Sequence, residues 1–237
     1  MTEKLPLLLV QMGHPPADIR NAVGEQPQWF NEAIGDVGPV RVVSPFEGEP
    51  LPVKGTFSGA IVTGSWAMVT DREPWSERTA EWLREIIQAG VPVLGVCYGH
   101  QLMAHALGGV VDYHPQGSEF GQIAVTLNTA GKEDALLSGL PEMFYTNLSH
   151  EQSVLTLPAG AVVLAASSHD PHQIVRYSPT AFSVQFHPEF STTVMNTMIN
   201  SRSERAALKG KNLDALLARN EDTPEARSIL QRFVALL

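Results

Sequence analysis

Cys97, the only cysteine in the chain, lies in Val93-Leu94-Gly95-Val96-Cys97-Tyr98-Gly99-His100-Gln101, where an apolar run passes through Gly-x-Cys-x-Gly into a helical pattern. Glycines two residues on either side would let the backbone turn sharply and leave the thiol projecting from a strand end, as in a nucleophile elbow. A helix starting near Tyr98 would favour the thiolate, because the positive end of a helix dipole stabilises negative charge. The chemistry on offer is attack on an acyl carbon. Alone, the motif fits a small buried core cysteine at least as well.

A catalytic thiol needs a base, and the base needs a third group to orient it. Ser183-Val184-Gln185-Phe186-His187-Pro188-Glu189 offers both. A strand ending at Phe186 would leave His187 at the sheet edge, and Pro188 forces a turn that can return the Glu189 carboxylate to the imidazole. The three residues also fit an ordinary polar turn.

These groups need a scaffold. Leu7 to Val10, Val40 to Val43, Ala60 to Val62 and Val93 to Val96 are short apolar runs without alternation, which predicts strands buried on both faces. Between them, Ile19 to Ile34 and Glu73 to Ala89 read as helices, the second with Trp75, Trp82, Leu83, Ile86 and Ile87 on one stripe and Gly90 as its stop. The alternation implies an α/β fold, a mainly parallel open sheet flanked by helices. Beyond Gly109 the pattern is strand-like at Val110 to Tyr113, Gln122 to Leu127, Met143 to Asn147, Val162 to Ala166, Ile174 to Tyr177 and Phe182 to Phe186, which predicts antiparallel additions. A helical C-terminal tail follows, at Thr192 to Ile199, Leu208 to Arg219 and Pro224 to Leu237. The 237 residues are expected to form one domain.

With both motifs in place, the chain resembles the glutaminase domain of class I glutamine amidotransferases, especially that of GMP synthetases, over approximately Leu5 to Phe190. The resemblance implies Cys97 as nucleophile, His187 as general base and then acid, and Glu189 as the group that holds the imidazole. Ile61-Val62-Thr63-Gly64-Ser65 resembles the family's oxyanion loop, so that the backbone N–H groups of Ser65 and Tyr98 would receive the oxyanion and Gly64 would touch substrate. Gln101 matches a glutamine that contacts the amino-acid end of the substrate, and Ser149-His150 a loop whose backbone binds the same end. Glu119-Phe120-Gly121 recurs in the family with a structural role. The loop departs from the usual Gly-Gly-Pro, reading Gly64-Ser65-Trp66. No second phosphate loop or ATP pyrophosphatase motif is found, so a separate synthetase subunit is the expected partner, and glutamine or another γ-glutamyl compound the expected substrate. The alternatives are a stand-alone hydrolase of γ-glutamyl peptides or amides and a catalytically idle binding or regulatory protein.

Composition narrows the classes. Sixteen Lys and Arg against 25 Asp and Glu give a net charge of −9, which provides no basic field for nucleic acid. No apolar stretch approaches the roughly 20 residues of a membrane helix, and a single cysteine cannot form an internal disulfide, so a cytoplasmic, reducing setting is expected. Eight histidines invite a metal. His100 and His105 are not at i, i+4 spacing, and His169 and His172 flank Asp170-Pro171 in an expected surface turn, so no metal is assigned. Nor is any cofactor. Trp66, Trp75 and Trp82 read as packing residues.

Overall fold

The computed structural model describes residues 4–204 and 213–237. The chain opens with β1 (Leu7–Val10), α1 (Ala17–Val23), α2 (Gln26–Ile34), β2 (Val40–Val43), β3 (Gly59–Val62), α3 (Pro74–Gln88), β4 (Val93–Val96) and α4 (Tyr98–Ala106). It continues with β5 (Val110–Tyr113), β6 (Glu119–Leu127), α5 (Thr129–Glu133), β7 (Met143–His150), β8 (Gln152–Thr156), β9 (Val162–Ala166), β10 (Ile174–Ser178) and β11 (Ala181–Val184). It ends with α6 (Thr192–Glu204), α7 (Leu213–Ala218) and α8 (Pro224–Val234).

Nine strands form one sheet in the order β2-β1-β3-β4-β11-β10-β9-β6-β7. The first five are parallel to one another, and β11, β10, β9, β6 and β7 pair antiparallel in succession. A separate antiparallel pair joins β5 to β8. The central strands are buried on both faces because helices cover each side. Leu7, Leu9, Ile61, Leu94 and Val96 point to one face, where Phe30 of α2 and Ile229 and Phe233 of α8 cover them. Leu8, Val10, Ala60, Val62 and Val93 point to the other, against Leu83 and Ile86 of α3 and Leu102 and Met103 of α4.

Two expectations change. Val40 to Val43 forms the sheet edge, with β1 its only neighbouring strand among the described residues, so Arg41 and Val42 are exposed and only Val43 is buried. The single helix expected over Ile19 to Ile34 is two: Gly24 sits at φ 79°, and α2 restarts with a capping box between Glu25 and Gln28 and a proline in its first turn. The helical C-terminal tail is present as expected, and its last helix packs against the sheet. Ala226, Ile229, Leu230 and Phe233 of α8 have no solvent exposure and complete one core. The helix expected over Leu208 to Arg219 is seen at Leu213–Ala218, while 208–212 lie outside the described residues. Strand β8 and helix α5 were not anticipated. Among the described residues no helix is long and apolar enough to cross a membrane.

Candidate active site

Strand β4 runs into Cys97, which caps α4 at φ 51° and ψ −99°. A positive φ costs a side-chain-bearing residue on the order of 1–3 kcal/mol and persists only where the surroundings enforce it. Here the Cys97 N–H donates to the Val184 carbonyl at 2.9 Å and the Gly99 N–H to the Thr63 carbonyl at 3.2 Å, so both sides of the turn are tied to neighbouring strands. The flanking glycines serve close approach, not the turn itself: neither has a positive φ. A Cβ on Gly95 would stand 2.6 Å from the Gly99 oxygen and the Met103 sulfur, and one on Gly99 would run into the Val62 carbonyl. The elbow strain is therefore carried by the cysteine, while glycine lets α4 lie directly on β3 and β4.

His187 follows β11, which ends at Val184, two residues before the Phe186 expected, and its N–H donates to the Asn147 carbonyl at 2.8 Å. Asn147 in turn donates from Nδ2 to the Phe190 carbonyl at 3.3 Å, clamping both ends of the His-Pro-Glu turn to β7. The imidazole Nδ1–H donates to Glu189 Oε1 at 2.7 Å, and Cys97 and the ring both stand beside Gly64. With Nδ1 engaged by the carboxylate, Nε2 is left for the sulfur. Phe190 stacks on the ring with centroids 4.0 Å apart and planes 8° from parallel. Burial works against the imidazolium, but the charges of Glu189 and Cys97 and their hydrogen bonds outweigh it and push His187 up to about 10.

Cys97, His187 and Phe190 open onto a cavity of about 150 Å³. That is below the roughly 300–1,000 Å³ of drug-sized sites and suits a small metabolite. Gly64, Ser65, Tyr98, Gln101, Ser149 and His150 all line it. A Cβ on Gly64 would lie 3.0 Å from His187 Cε1 and 3.7 Å from Cys97 Cβ, so a bare backbone is needed beside the pair. Ser65 Oγ donates to the Met12 carbonyl at 2.8 Å and accepts from the Ala67 N–H at 3.1 Å, which fixes the loop. The backbone N–H groups of Ser65 and Tyr98 carry no acceptor among the described residues.

The side chains of Gln101 and His150 make hydrogen bonds within the protein. Gln101 Nε2 donates to the Gln152 carbonyl at 2.6 Å and to Gln185 Oε1 at 3.1 Å. The His150 ring is buried between Glu119 Oε2 at 3.0 Å and the Gln152 carbonyl at 2.9 Å. Glu119 also accepts from Ser167 Oγ at 2.6 Å and Gln173 Nε2 at 2.8 Å. This network fixes the segment 149–152, whose Ser149 carbonyl lies 3.9 Å from Cys97 Sγ. His100 is a core residue bonded to Ser183 Oγ at 2.6 Å, and His105 pairs with Glu77. His172 donates to the Val154 carbonyl at 2.6 Å, and the His169 ring lies against that of His114. Trp82 is buried and Trp75 stacks on Tyr98, while Trp66 is 38% exposed and lines the cavity.

Sequence reasoning missed Gln26 and Trp29 of α2 as well as Glu151, Gln152 and Phe190, which complete the cavity wall. Phe190 directly follows the His-Pro-Glu motif and was findable. Gln26 and Trp29 stand in no motif and are about seventy residues before Cys97; only folding brings them there.

The family described as glutamine amidotransferase class-I matches residues 39–204. A GMP synthase of Aeropyrum pernix is 38% identical over 146 residues, covering 62% of this chain and 26% of that one. The chain thus spans about a quarter of the length of that relative. A glutamine amidotransferase-like protein of Schizosaccharomyces pombe is 27% identical over 168 residues, 70% of this chain and 66% of that one. Two crystal structures share the fold over nearly the whole length. A glutamine amidotransferase of Thermotoga maritima has a TM-score of 0.78 at 19% identity, covering 98% of this chain and 97% of that one. One of Methylobacillus flagellatus has a TM-score of 0.80 at 21% identity, covering 99% and 96%. With a family match over most of its length and the fold to accompany it, this chain belongs to the class I glutamine amidotransferases.

Proposed function

We propose that the chain hydrolyses the γ-carboxamide of glutamine through a thioester on Cys97 and delivers the ammonia to a separate synthetase. The observation that carries this reading is the His187 imidazole, held by Glu189 at 2.7 Å and standing with Cys97 beside Gly64 in the lining of a metabolite-sized cavity. His187 takes the thiol proton, and the thiolate attacks the amide carbon while the carbonyl electron pair moves to oxygen. The N–H groups of Ser65 and Tyr98 receive that oxyanion, a contribution of about 2.7–4 kcal/mol per donor in comparable sites. Collapse expels ammonia, which takes its proton from His187 Nε2. Water then attacks the thioester, gives a proton back to His187, and the second collapse releases glutamate and the thiolate. Gly64 leaves room for the amide, and Gln101, Ser149 and His150 shape the wall that receives the amino-acid end. The reduced thiol this requires fits a cytoplasmic setting.

The test is ammonia and glutamate release from glutamine, from γ-glutamyl dipeptides and with cell extract added, together with labelling by a glutamine-mimicking diazoketone. Stoichiometric labelling of Cys97 and release of both products, absent in Cys97→Ala, is expected. No label and no turnover under any condition would leave a binding or regulatory role, and turnover confined to dipeptides would favour the peptide hydrolase.

A further inference from the structure

Gln26, the first residue of α2, lines the cavity at Cys97 although only 1% of its surface is exposed. Its Nε2 donates to the Gly13 carbonyl at 2.9 Å. That contact fixes which way the amide faces, because a carbonyl can receive only the NH2 end. Oε1 therefore faces the other way, and among the described residues no donor reaches it. The oxygen is unpaired without being sealed from solvent, and what it opens onto is the cavity. An acceptor kept in so buried a side chain is costly unless it is met, so this one calls for a donor that arrives with the ligand.

The oxygen faces the reacting groups. A Cβ on Gly64 would lie 3.8 Å from Gln26 Oε1, 3.0 Å from His187 Cε1 and 3.7 Å from Cys97 Cβ, so the acceptor, the imidazole and the nucleophile surround one point of the cavity wall. The chemistry assigned to His187 needs such an acceptor. When the tetrahedral intermediate collapses, the lone pair of the leaving nitrogen must face the His187 Nε2–H while its two N–H bonds point elsewhere. An acceptor on one of those bonds sets the rotation of the nitrogen, and its hold strengthens as the nitrogen takes a proton and becomes positive.

We propose that Gln26 Oε1 accepts a hydrogen bond from the leaving nitrogen of the γ-carboxamide, turns its lone pair toward His187, and so selects for leaving groups that carry an N–H. The inference deepens, and rests on, the reading of Cys97 and His187 as an amidase pair. No proton passes to Gln26. His187 gives its proton to the nitrogen lone pair, the C–N bond breaks with its electron pair going to nitrogen, the oxyanion pair re-forms the carbonyl of the thioester, and ammonia departs. An ester offers the same oxyanion and the same departing pair but no hydrogen for Oε1. The Gly13 carbonyl keeps Gln11 Nε2 at 3.2 Å as a second donor, so removal of the Gln26 amide does not strand it.

The experiment compares the unaltered full chain with Gln26→Met, whose thioether is only a weak acceptor, on glutamine and on the γ-methyl ester of glutamate. For glutamine kcat/KM should fall about ten- to hundredfold, as when a hydrogen bond to a charged group is lost, while for the ester it should not fall. Labelling of Cys97 by the diazoketone, which has no leaving amine, should proceed as in the unaltered chain and shows that the site is folded. Gln26→Glu, which keeps an oxygen at this position, should keep the preference for the amide. Should Gln26→Met not label, the same comparison of Gln26→Leu with Gln26→Glu decides. An equal fall on amide and ester would make Gln26 a structural residue or a contact to the amino-acid end, and an unchanged rate on glutamine would make it a bystander. Either result, or loss of the amide preference in Gln26→Glu as well, overturns the proposal. An unaltered chain that neither labels nor turns over either substrate removes the amidase reading itself, and the proposal with it.

Discussion

Replacing Glu189 by glutamine removes one charge and almost no volume, which isolates the electrostatic part of its action. His187 is pushed from 6.5 to about 10, against its burial, chiefly by Glu189 and then by Cys97. The whole rise corresponds to roughly 5 kcal/mol of preference for the imidazolium. An opposite charge at hydrogen-bond distance typically supplies one to three pKa units of such a rise, so the variant should lose about 1.4–4 kcal/mol, or 10- to 1,000-fold. The wild-type alkaline limb of kcat/KM should fall near pH 10, where His187 loses the proton that ammonia needs, and in Glu189→Gln it should move down by one to three units. Because the amide oxygen can still accept from Nδ1–H, the variant should retain more activity near pH 7 than His187→Ala. The assay is coupled ammonia detection from pH 6 to 11, with alkylation of Cys97 by iodoacetamide as a second readout of the pair. An alkaline limb that stays in place in the variant would refute the claim that Glu189 sets the charge on His187.

Gly99→Ala places a methyl group into the Val62 carbonyl and should destabilise the chain by at least about 1–3 kcal/mol, measured as a drop in the urea midpoint. Phe233→Ala, near the end of the chain but without solvent exposure, should cost about 3–5 kcal/mol by the same measurement. Burial holds His100 down at about 3, with the nearby Asp170 opposing, so the folded state stays unprotonated where the unfolded one binds a proton. Stability should therefore fall as pH drops from 6.5 towards 3, by up to about tenfold in the folding constant per unit, and His100→Gln should flatten that limb. His187 has the opposite sign: its contribution is full below 6.5 and lost as pH rises through about 10, so Cys97→Ala, which removes one of its supports, should flatten the alkaline limb of a thermal-melt series.

Several features needed only the order of residues. Apolar runs without polar alternation at Leu7–Val10, Gly59–Val62 and Val93–Val96 can be stable only as strands covered on both faces, and the helices between them force parallel crossovers. The elbow at Cys97 and the turn at His187 were legible because each is a local arrangement of a few consecutive residues. The antiparallel additions were seen as segments, but their order across the sheet was not, since strand pairing is a contact between distant parts of the chain.

What the sequence could not decide is everything set by approach across the sheet. Val40–Val43 lies at the edge, and Arg41, a charge that the other three runs lack, is the one local sign of it, since a strand covered on both faces has no place for a charged side chain. Gly95 and Gly99 read as hinges and prove to be contact surfaces, a distinction that exists only once α4 lies on β3. Gln101 reads as a substrate contact and lines the cavity, while its amide nitrogen is held by Gln152 and Gln185, whose positions depend on where segment 149–152 and the end of β11 come to rest. Trp29 stands in no motif; it becomes a wall of the cavity because α2 packs beside the His187 turn, against Phe190 at 5.7 Å between ring centroids. Local chemistry is written in neighbouring residues, whereas the surroundings that orient and charge it are made by packing between segments far apart in the chain.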